Sequence, residues 1–400
     1  MTTIDRALAA LPGDREIGIY IHVPFCLRKC LYCDFCSFPL ADPKLTDRYA
    51  DRLCGQIRDV CSRTCGLRAD TVFFGGGTPT LLSETQWDRI LGTLRDSLDL
   101  SAGAEITAEC NPATAGPEKL KRMRQLGVNR LSIGVQSLHP EELKTLGRIH
   151  TVEQFEQTVR DAGRAGFERI SFDLMFGFPG QTERSWLQTL QTAVGLGPEH
   201  LSAYALQLEE GTPLYRNRDA YVFPDEEETA RMYETACGYL QSEGYSRYEV
   251  SNFARPGGEC RHNLKYWSCE NYLGFGISAH SLAGHTRFYM PADLESYLDG
   301  SADPALEEDL TQDRLEEEYA VLRLRLSEGL EAETAKDRFG EHFDRRFRPV
   351  LRDMADRALL RKEVRDGREI YRIPDAFVFT ENGILSELLS KVADAASFLE

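Results

Sequence analysis

The chain has 400 residues, 42% of them hydrophobic and 28% charged, the balance of a soluble globular protein rather than a disordered or fibrous one. Its 47 Lys and Arg against 64 Asp and Glu leave a net charge of −17, which argues against a general nucleic-acid binder, because a phosphate backbone needs a basic surface. The first 25 residues contain Asp5, Asp14 and no unbroken apolar run, so neither a secretory signal nor a membrane span is expected, and in a reducing cytoplasmic setting the 11 cysteines read as metal or cluster candidates rather than disulfides.

Six β-branched or aromatic runs recur along the first part of the chain, at 17–23, 71–74, 105–108, 130–135, 169–176 and 200–206. Segments of helix length with charged faces separate and follow them, at 44–60, 84–97, 118–126, 152–165, 183–193 and 226–242. Strand and helix in regular alternation predict right-handed βαβ units and a parallel sheet. Six units predict a partial (β/α)6, TIM-like barrel over 17–245, after a short lead-in at 1–16, rather than a doubly wound sheet. The runs end in glycine, proline or small polar residues, at the rim that carries the chemistry of β/α barrels.

After Tyr245 the alternation stops. Residues 246–304 are rich in Gly, Asn, His and aromatics and are expected to form an irregular segment with short strands. Over 305–400 the composition turns helical and charged, with helices expected at 315–326, 332–339 and 343–358, a hairpin turning at Asp366-Gly367, and a last helix from Gly383. Helices followed by a hairpin resemble a small winged-helix-like domain. With the chain so acidic, a structural or partner-docking cap is favoured over DNA binding.

Cys26-Leu-Arg-Lys-Cys30-Leu-Tyr-Cys33 follows the first run directly. Three thiolates on one short loop can converge on a soft metal centre. A 4Fe–4S cluster with one iron free of protein ligands is favoured. A zinc closed by Cys36, or redox-active thiols, remain as alternatives. Gly75-Gly76-Gly77 ends the second run and lets backbone approach closely, but Thr78-Pro79 stands where a phosphate loop needs Lys-Ser/Thr.

Cys-x3-Cys-x2-Cys with an aromatic before the last cysteine resembles the signature of radical S-adenosyl-L-methionine (SAM) enzymes. The chain from about 17 to 390 is similar to the oxygen-independent coproporphyrinogen III oxidase superfamily, matching it in order through Tyr20-x-His22-x-Pro24-Phe25-Cys26, Gly75-Gly-Gly-Thr-Pro79, Gly134-Val-Gln136-Ser and Asp173-Leu-Met-Phe-Gly-Phe-Pro179. That resemblance implies that Cys26, Cys30 and Cys33 hold the cluster and that SAM chelates the fourth iron. It implies that Gly76, Gly77 and Thr78 receive the SAM amino group, that Glu109, Gln136, Arg148 and Asp173 hold ribose hydroxyls or the SAM carboxylate, and that Tyr20 and Tyr32 pack against SAM. Some superfamily members bind a second SAM, to which a few of these residues could belong.

The oxidase proper resembles Cys-x3-Cys-x2-Cys-x-Cys. Here position 35 is Phe, in Cys33-Asp34-Phe35, and the fourth cysteine is displaced to Cys36, a free thiol or an auxiliary ligand. The Cys-Asp-Phe form is similar to the haem-chaperone (HemW) branch. Arg261-His262-Asn263-Leu-Lys-Tyr266-Trp267 carries the His-Asn-x-x-Tyr-Trp pattern associated with haem in that branch. His262 is then an axial-ligand candidate beside Tyr266 and Trp267, against the alternatives of ordinary hydrogen-bonded packing or of His280 or His285 as the ligand. The resemblance implies a haem carrier with a haem-acceptor protein and an electron donor as partners, and leaves catalytic turnover open. The alternatives are decarboxylation of coproporphyrinogen III, or a radical SAM methyltransferase or haem-degrading relative.

Overall fold

The computed structural model describes every residue except 1, 12, 14, 15, 65 and 397–400. The chain divides into two compact units: Met1–Ser246, Phe253–Lys265 and Glu270–Asp309 form the first, and Arg247–Asn252, Tyr266–Cys269 and Leu310–Glu400 the second.

The first unit is built on six parallel strands, β1 (Glu16–Val23), β2 (Arg68–Gly76), β3 (Asp99–Cys110), β4 (Arg130–Gln136), β5 (Arg169–Phe176) and β6 (His200–Ala205). They lie in the sheet in chain order with no reversal. A doubly wound sheet reverses at a switch point. Without one, right-handed crossovers all move the same way and stack their helices on one face, which is the partial (β/α)6 barrel. The helices are α1 (Lys44–Ser62), α2 (Glu84–Ser97), α3 (Pro117–Gln125), α4 (Val152–Arg164), α5 (Glu183–Gly195) and α6 (Glu226–Ser242). Capping boxes start four of them, Ser83 with Gln86, Thr151 with Gln154, Thr182 with Ser185 and Asp225 with Glu228, and Pro117 opens α3. Each cap satisfies otherwise orphaned N–H groups and stabilises its helix by about 1 kcal/mol. All seven positions of β4 are buried, as expected where a strand is covered on both faces.

The segment 246–304 is more regular than its Gly and Asn content predicted. β7 (Tyr272–Phe275) pairs in parallel with the free edge of β1, and β8 (His280–Ala283), β9 (Thr286–Tyr289) and β10 (Ala305–Asp309) continue the sheet antiparallel. Short strands of this kind take their stability from the long-range edge they join, so the local sequence signals them weakly.

The second unit packs helices Gln312–Leu324, Ala332–Phe339, Glu341–Asp356 and Glu381–Ala396 with an antiparallel sheet of Leu330–Glu331, Arg361–Arg365 and Arg368–Arg372. Its core includes Tyr319, Phe343, Phe347, Leu351, Tyr371 and Leu388, with the Phe343 and Phe347 rings stacked at 4.4 Å. Its arginines are largely neutralised by its own carboxylates: Arg346 pairs with Glu316 at 2.8 Å, and Arg348 with Glu333 at 2.9 Å and Glu369 at 3.1 Å. Among the described residues, no helix is long and apolar enough to cross a membrane.

Candidate functional site

The cysteine loop leaves the C-terminal end of β1 and is tied down by backbone. Phe25–Cys26 pairs in parallel with Phe38–Pro39, the Leu31 N–H donates to the Leu146 carbonyl at 3.1 Å, and the Leu214 N–H donates to the Leu31 carbonyl at 2.8 Å. His22 props the loop from beneath. Its Nε2 lies 2.8 Å from the Cys36 carbonyl, which can only accept, so Nε2 carries the proton and Nδ1 accepts from the Tyr20 hydroxyl at 3.0 Å. Burial lowers the His22 pKa and keeps the ring neutral for both bonds.

The glycines answer to this packing. Gly76 has φ +107°, and a Cβ there would stand 2.5 Å from the His22 ring. A Cβ on Gly77 would stand 2.6 Å from the Phe25 carbonyl oxygen, and the Gly77 N–H already donates to Val23 at 2.8 Å. The rim therefore closes onto the cysteine loop only where side chains are missing.

Around the sulfurs, the Thr78 hydroxyl donates to Cys26 Sγ at 3.6 Å, and Arg148 donates to Cys30 Sγ at 3.3 Å. Arg148 is oriented by Asn111 Oδ1 and the Gly134 carbonyl, each at 2.6 Å, and Asn111 also donates to Thr78 at 2.7 Å. Burial pushes the Cys33 thiol up to about 11 and raises Cys26 as well, so in the free chain these sulfurs stay protonated, and a metal must displace the protons to bind. Among the described residues, the one trio of His, Cys, Asp or Glu ligand atoms within 4.8 Å of one another is Asp313, Glu316 and His342, in the second unit. Cys26, Cys30 and Cys33 are thus spread wider than the roughly 3.8 Å sulfur separation that Zn–S bonds impose on a tetrahedral zinc. A donor set of three separated sulfurs suits a cluster better than a single ion.

Deeper in the rim, Glu109 accepts the Gly76 N–H at 3.1 Å, and Asp173 accepts the Ser132 hydroxyl at 2.9 and 3.0 Å. Gln136 ends β4 in the left-handed region at φ +61°, a cost on the order of 1 kcal/mol for a residue with a side chain. Its buried Oε1 has no donor, and Arg148 Nε and His150 Nε2 are likewise buried without partners. Three unsatisfied polar atoms at one rim fit a polar ligand that completes them. Tyr32 packs with Leu146, Met175 and Phe178, and Tyr20 stacks on Phe73 at 6.3 Å. The nine residues expected to line SAM therefore all belong to this end of the barrel. Asn111, His22 and His150 join them; of the three, only His22 stands in a motif quoted from the sequence.

Burial, and then the neighbouring Asp173, push the Glu109 carboxyl from 4.5 to about 8, against the opposing Gly76 N–H. Between those values the folded chain holds a proton that the unfolded chain has released, so stability falls as pH rises from about 4.5 to about 8. In the ligand-free chain, Glu109→Gln is expected to remove roughly 1–3 kcal/mol of that loss, seen in urea denaturation as a flatter stability profile over this range. Parallel profiles for the two proteins would refute it.

The haem candidates lie elsewhere. His262 is in the helix Arg261–Trp267 and is 1% exposed. Its Nδ1 is 2.9 Å from the Thr71 hydroxyl, its N–H donates to Glu105 at 3.1 Å, and its ring stacks on Phe73 at 5.4 Å. Thr71 and Glu105 are paired early in β2 and β3, so His262 fills the N-terminal half of the barrel, away from the cysteine rim. Burial lowers its pKa to about 3. Of the alternatives the sequence left, hydrogen-bonded packing describes its position here. Tyr266 and Trp267 are half-buried and fall in the second unit. His280 is exposed, 3.0 Å from Glu307 and stacked on Tyr289, and His285 is exposed in the turn after Gly284. His262→Ala is expected to cost about 2–4 kcal/mol through the lost stack and hydrogen bonds, read as a drop in thermal midpoint. An unchanged midpoint would show that the ring is not needed to close the barrel.

An open parallel barrel with a three-cysteine loop on its C-terminal rim defines a radical SAM core, and the family described as the radical SAM superfamily matches residues 20–193. The HemN C-terminal domain family matches residues 310–365. The chain is 38% identical to the heme chaperone HemW of Bacillus subtilis over 85% of its own length and 92% of that protein, and 37% identical to the heme chaperone HemW of Mycobacterium tuberculosis over 81% and 85%. Coproporphyrinogen III oxidase (HemN) from Escherichia coli shares the fold, with a TM-score of 0.82 at 22% identity, covering 96% of this chain and 92% of that one. The chain belongs to the HemW family of radical SAM proteins. Membership implies a 4Fe–4S cluster and SAM.

Proposed function

We propose that the protein is a haem chaperone that binds haem and passes it to an acceptor protein, with Cys26, Cys30 and Cys33 holding a 4Fe–4S cluster and the surrounding rim holding SAM. The observation that carries this reading is family membership over nearly the whole chain, joined to Phe35, 63% exposed, where the oxidase pattern has its fourth cysteine. When bound, the cluster and SAM supply a low-potential electron and a reducible sulfonium. The chain's own residues supply the setting. Gly76 and Gly77 bring backbone, and Thr78 a hydroxyl, to the SAM amino group, and Arg148 offers a guanidinium to a carboxylate. Glu109 and Asp173 offer acceptors to ribose hydroxyls, Gln136 presents its unpaired carbonyl, and Tyr20 and Tyr32 wall the space. Cys36 is assigned as a free thiol, since His22 engages its carbonyl and its side chain faces Ser278. The free cysteines among the described residues support a reducing compartment such as the cytoplasm, where a small electron-transfer protein can act as donor.

Two assays on one anaerobic preparation test the reading. Hemin-loaded protein is expected to transfer haem to an apo-haemoprotein, followed by the shift of the Soret band. Incubation with coproporphyrinogen III, SAM and a strong reductant is expected to yield no protoporphyrinogen; its formation would establish the oxidase instead.

A further inference from the structure

His262 is enclosed, and a carried haem needs an open surface. A second cleft opens on the C-terminal side of β5, between Pro179–Arg184, leading into α5, and residues 220–224, leading into α6. It is an open cleft of about 670 Å³, within the roughly 300–1,000 Å³ of small-molecule pockets. One wall is the run Tyr221-Val222-Phe223, with the two rings edge to face at 6.4 Å. Val222 is 87% exposed, more than any other large hydrophobic residue described. Tyr221 and Phe223 flank it half-buried, so an apolar strip with one side chain in open water lines the cleft.

The charges in the cleft are equally selective. Glu183 pairs with Arg231 at 2.7 Å, and the Glu228 carboxylate accepts the Asp225 N–H at 3.0 Å as part of the α6 cap. Arg184 is exposed and has no ion-pair partner among the described residues. In a chain of net charge −17, an uncompensated guanidinium beside an apolar strip invites an anion with a hydrophobic body. The cleft also borders the cysteine loop: Thr145 on its edge precedes Leu146, which holds Leu31 and packs with Phe178 and Tyr32.

We infer that this cleft seats a flat, apolar, dianionic tetrapyrrole, its macrocycle on Tyr221, Val222 and Phe223 and a propionate on Arg184. The inference rests on the haem-carrier reading and names the seat of the cargo. Its test is titration of the full-length, anaerobically prepared protein with hemin, followed by absorbance. Arg184→Glu and Val222→Asp are each expected to weaken hemin binding about tenfold or more, while thermal midpoints stay within about 2 °C because both side chains are exposed. Hemin dimethyl ester, which lacks the propionate charges, is expected to bind wild type and Arg184→Glu alike. Hemin affinities of both variants within twofold of wild type would overturn the cleft while leaving the haem-carrier reading intact, and an Arg184→Glu defect that persists with the ester would overturn the propionate contact. Failure of the wild type itself to bind hemin would overturn the carrier reading and the cleft together.

Discussion

Replacing Cys26, Cys30 or Cys33 by alanine, one at a time, is expected to drop the iron of the reconstituted protein from about four atoms per chain to below about one, because a cubane held by three thiolates cannot survive on two. The loss should be comparable at each position. Cys26 and Cys30 are also hydrogen-bonded by Thr78 and Arg148, which stabilise the thiolate that the metal requires. Cys36→Ala is the control and should keep its iron. Iron and sulfide analysis with visible absorbance reads the result, and addition of SAM should perturb the electron paramagnetic resonance spectrum of the reduced wild type. Stoichiometric zinc in place of iron, or an iron signal indifferent to SAM, would remove the foundation of the site.

The second large effect concerns two glycines. Gly77→Ala is expected to destabilise the protein by roughly 3 kcal/mol or more, a fall of about 3–6 °C in thermal midpoint, and to impair cluster loading. The added methyl would meet the Phe25 carbonyl at 2.6 Å and the Val23 carbonyl at 2.9 Å, and backbone cannot step aside as a side-chain tip can. Gly76→Ala should behave similarly, since its Cβ meets a His22 ring locked at both nitrogens and φ is +107°. Gly103→Ala, with nothing within 4 Å of the new Cβ, should be nearly silent. If Gly77→Ala melts with Gly103→Ala, the cysteine loop does not close onto the glycine run as described.

The barrel was legible because its information is local. Runs at 130–135 and 169–176 became β4 (Arg130–Gln136) and β5 (Arg169–Phe176), and the expected 84–97 and 226–242 helices match α2 and α6 at both ends. Those helices carry Ser83 and Asp225 caps that announce their starts in a few residues. Short helices such as Thr3–Ala9 and Pro140–Thr145 escaped notice because each is under two turns long and offers little periodicity to read. Over 246–304 the sequence predicted short strands without placing them, and it missed β10, for a different reason: β7 exists by pairing with β1, some 250 positions earlier in the chain.

The chain's own letters determined the partial barrel, the three-cysteine loop and the family, since spacing, caps and motif order are properties of neighbouring residues. Tertiary structure decided what those letters leave open. It put His22 under the loop, paired Arg148 with a cysteine 118 positions away, and set the unsatisfied oxygen of Gln136 facing the same rim. It also turned His262 inward onto Thr71 and Phe73 and left Val222 in the open. A histidine's letter does not say which face of a helix meets a barrel wall. Burial and partnership come from segments that meet only when the sheet curls, and those contacts separate a ligand from a plug.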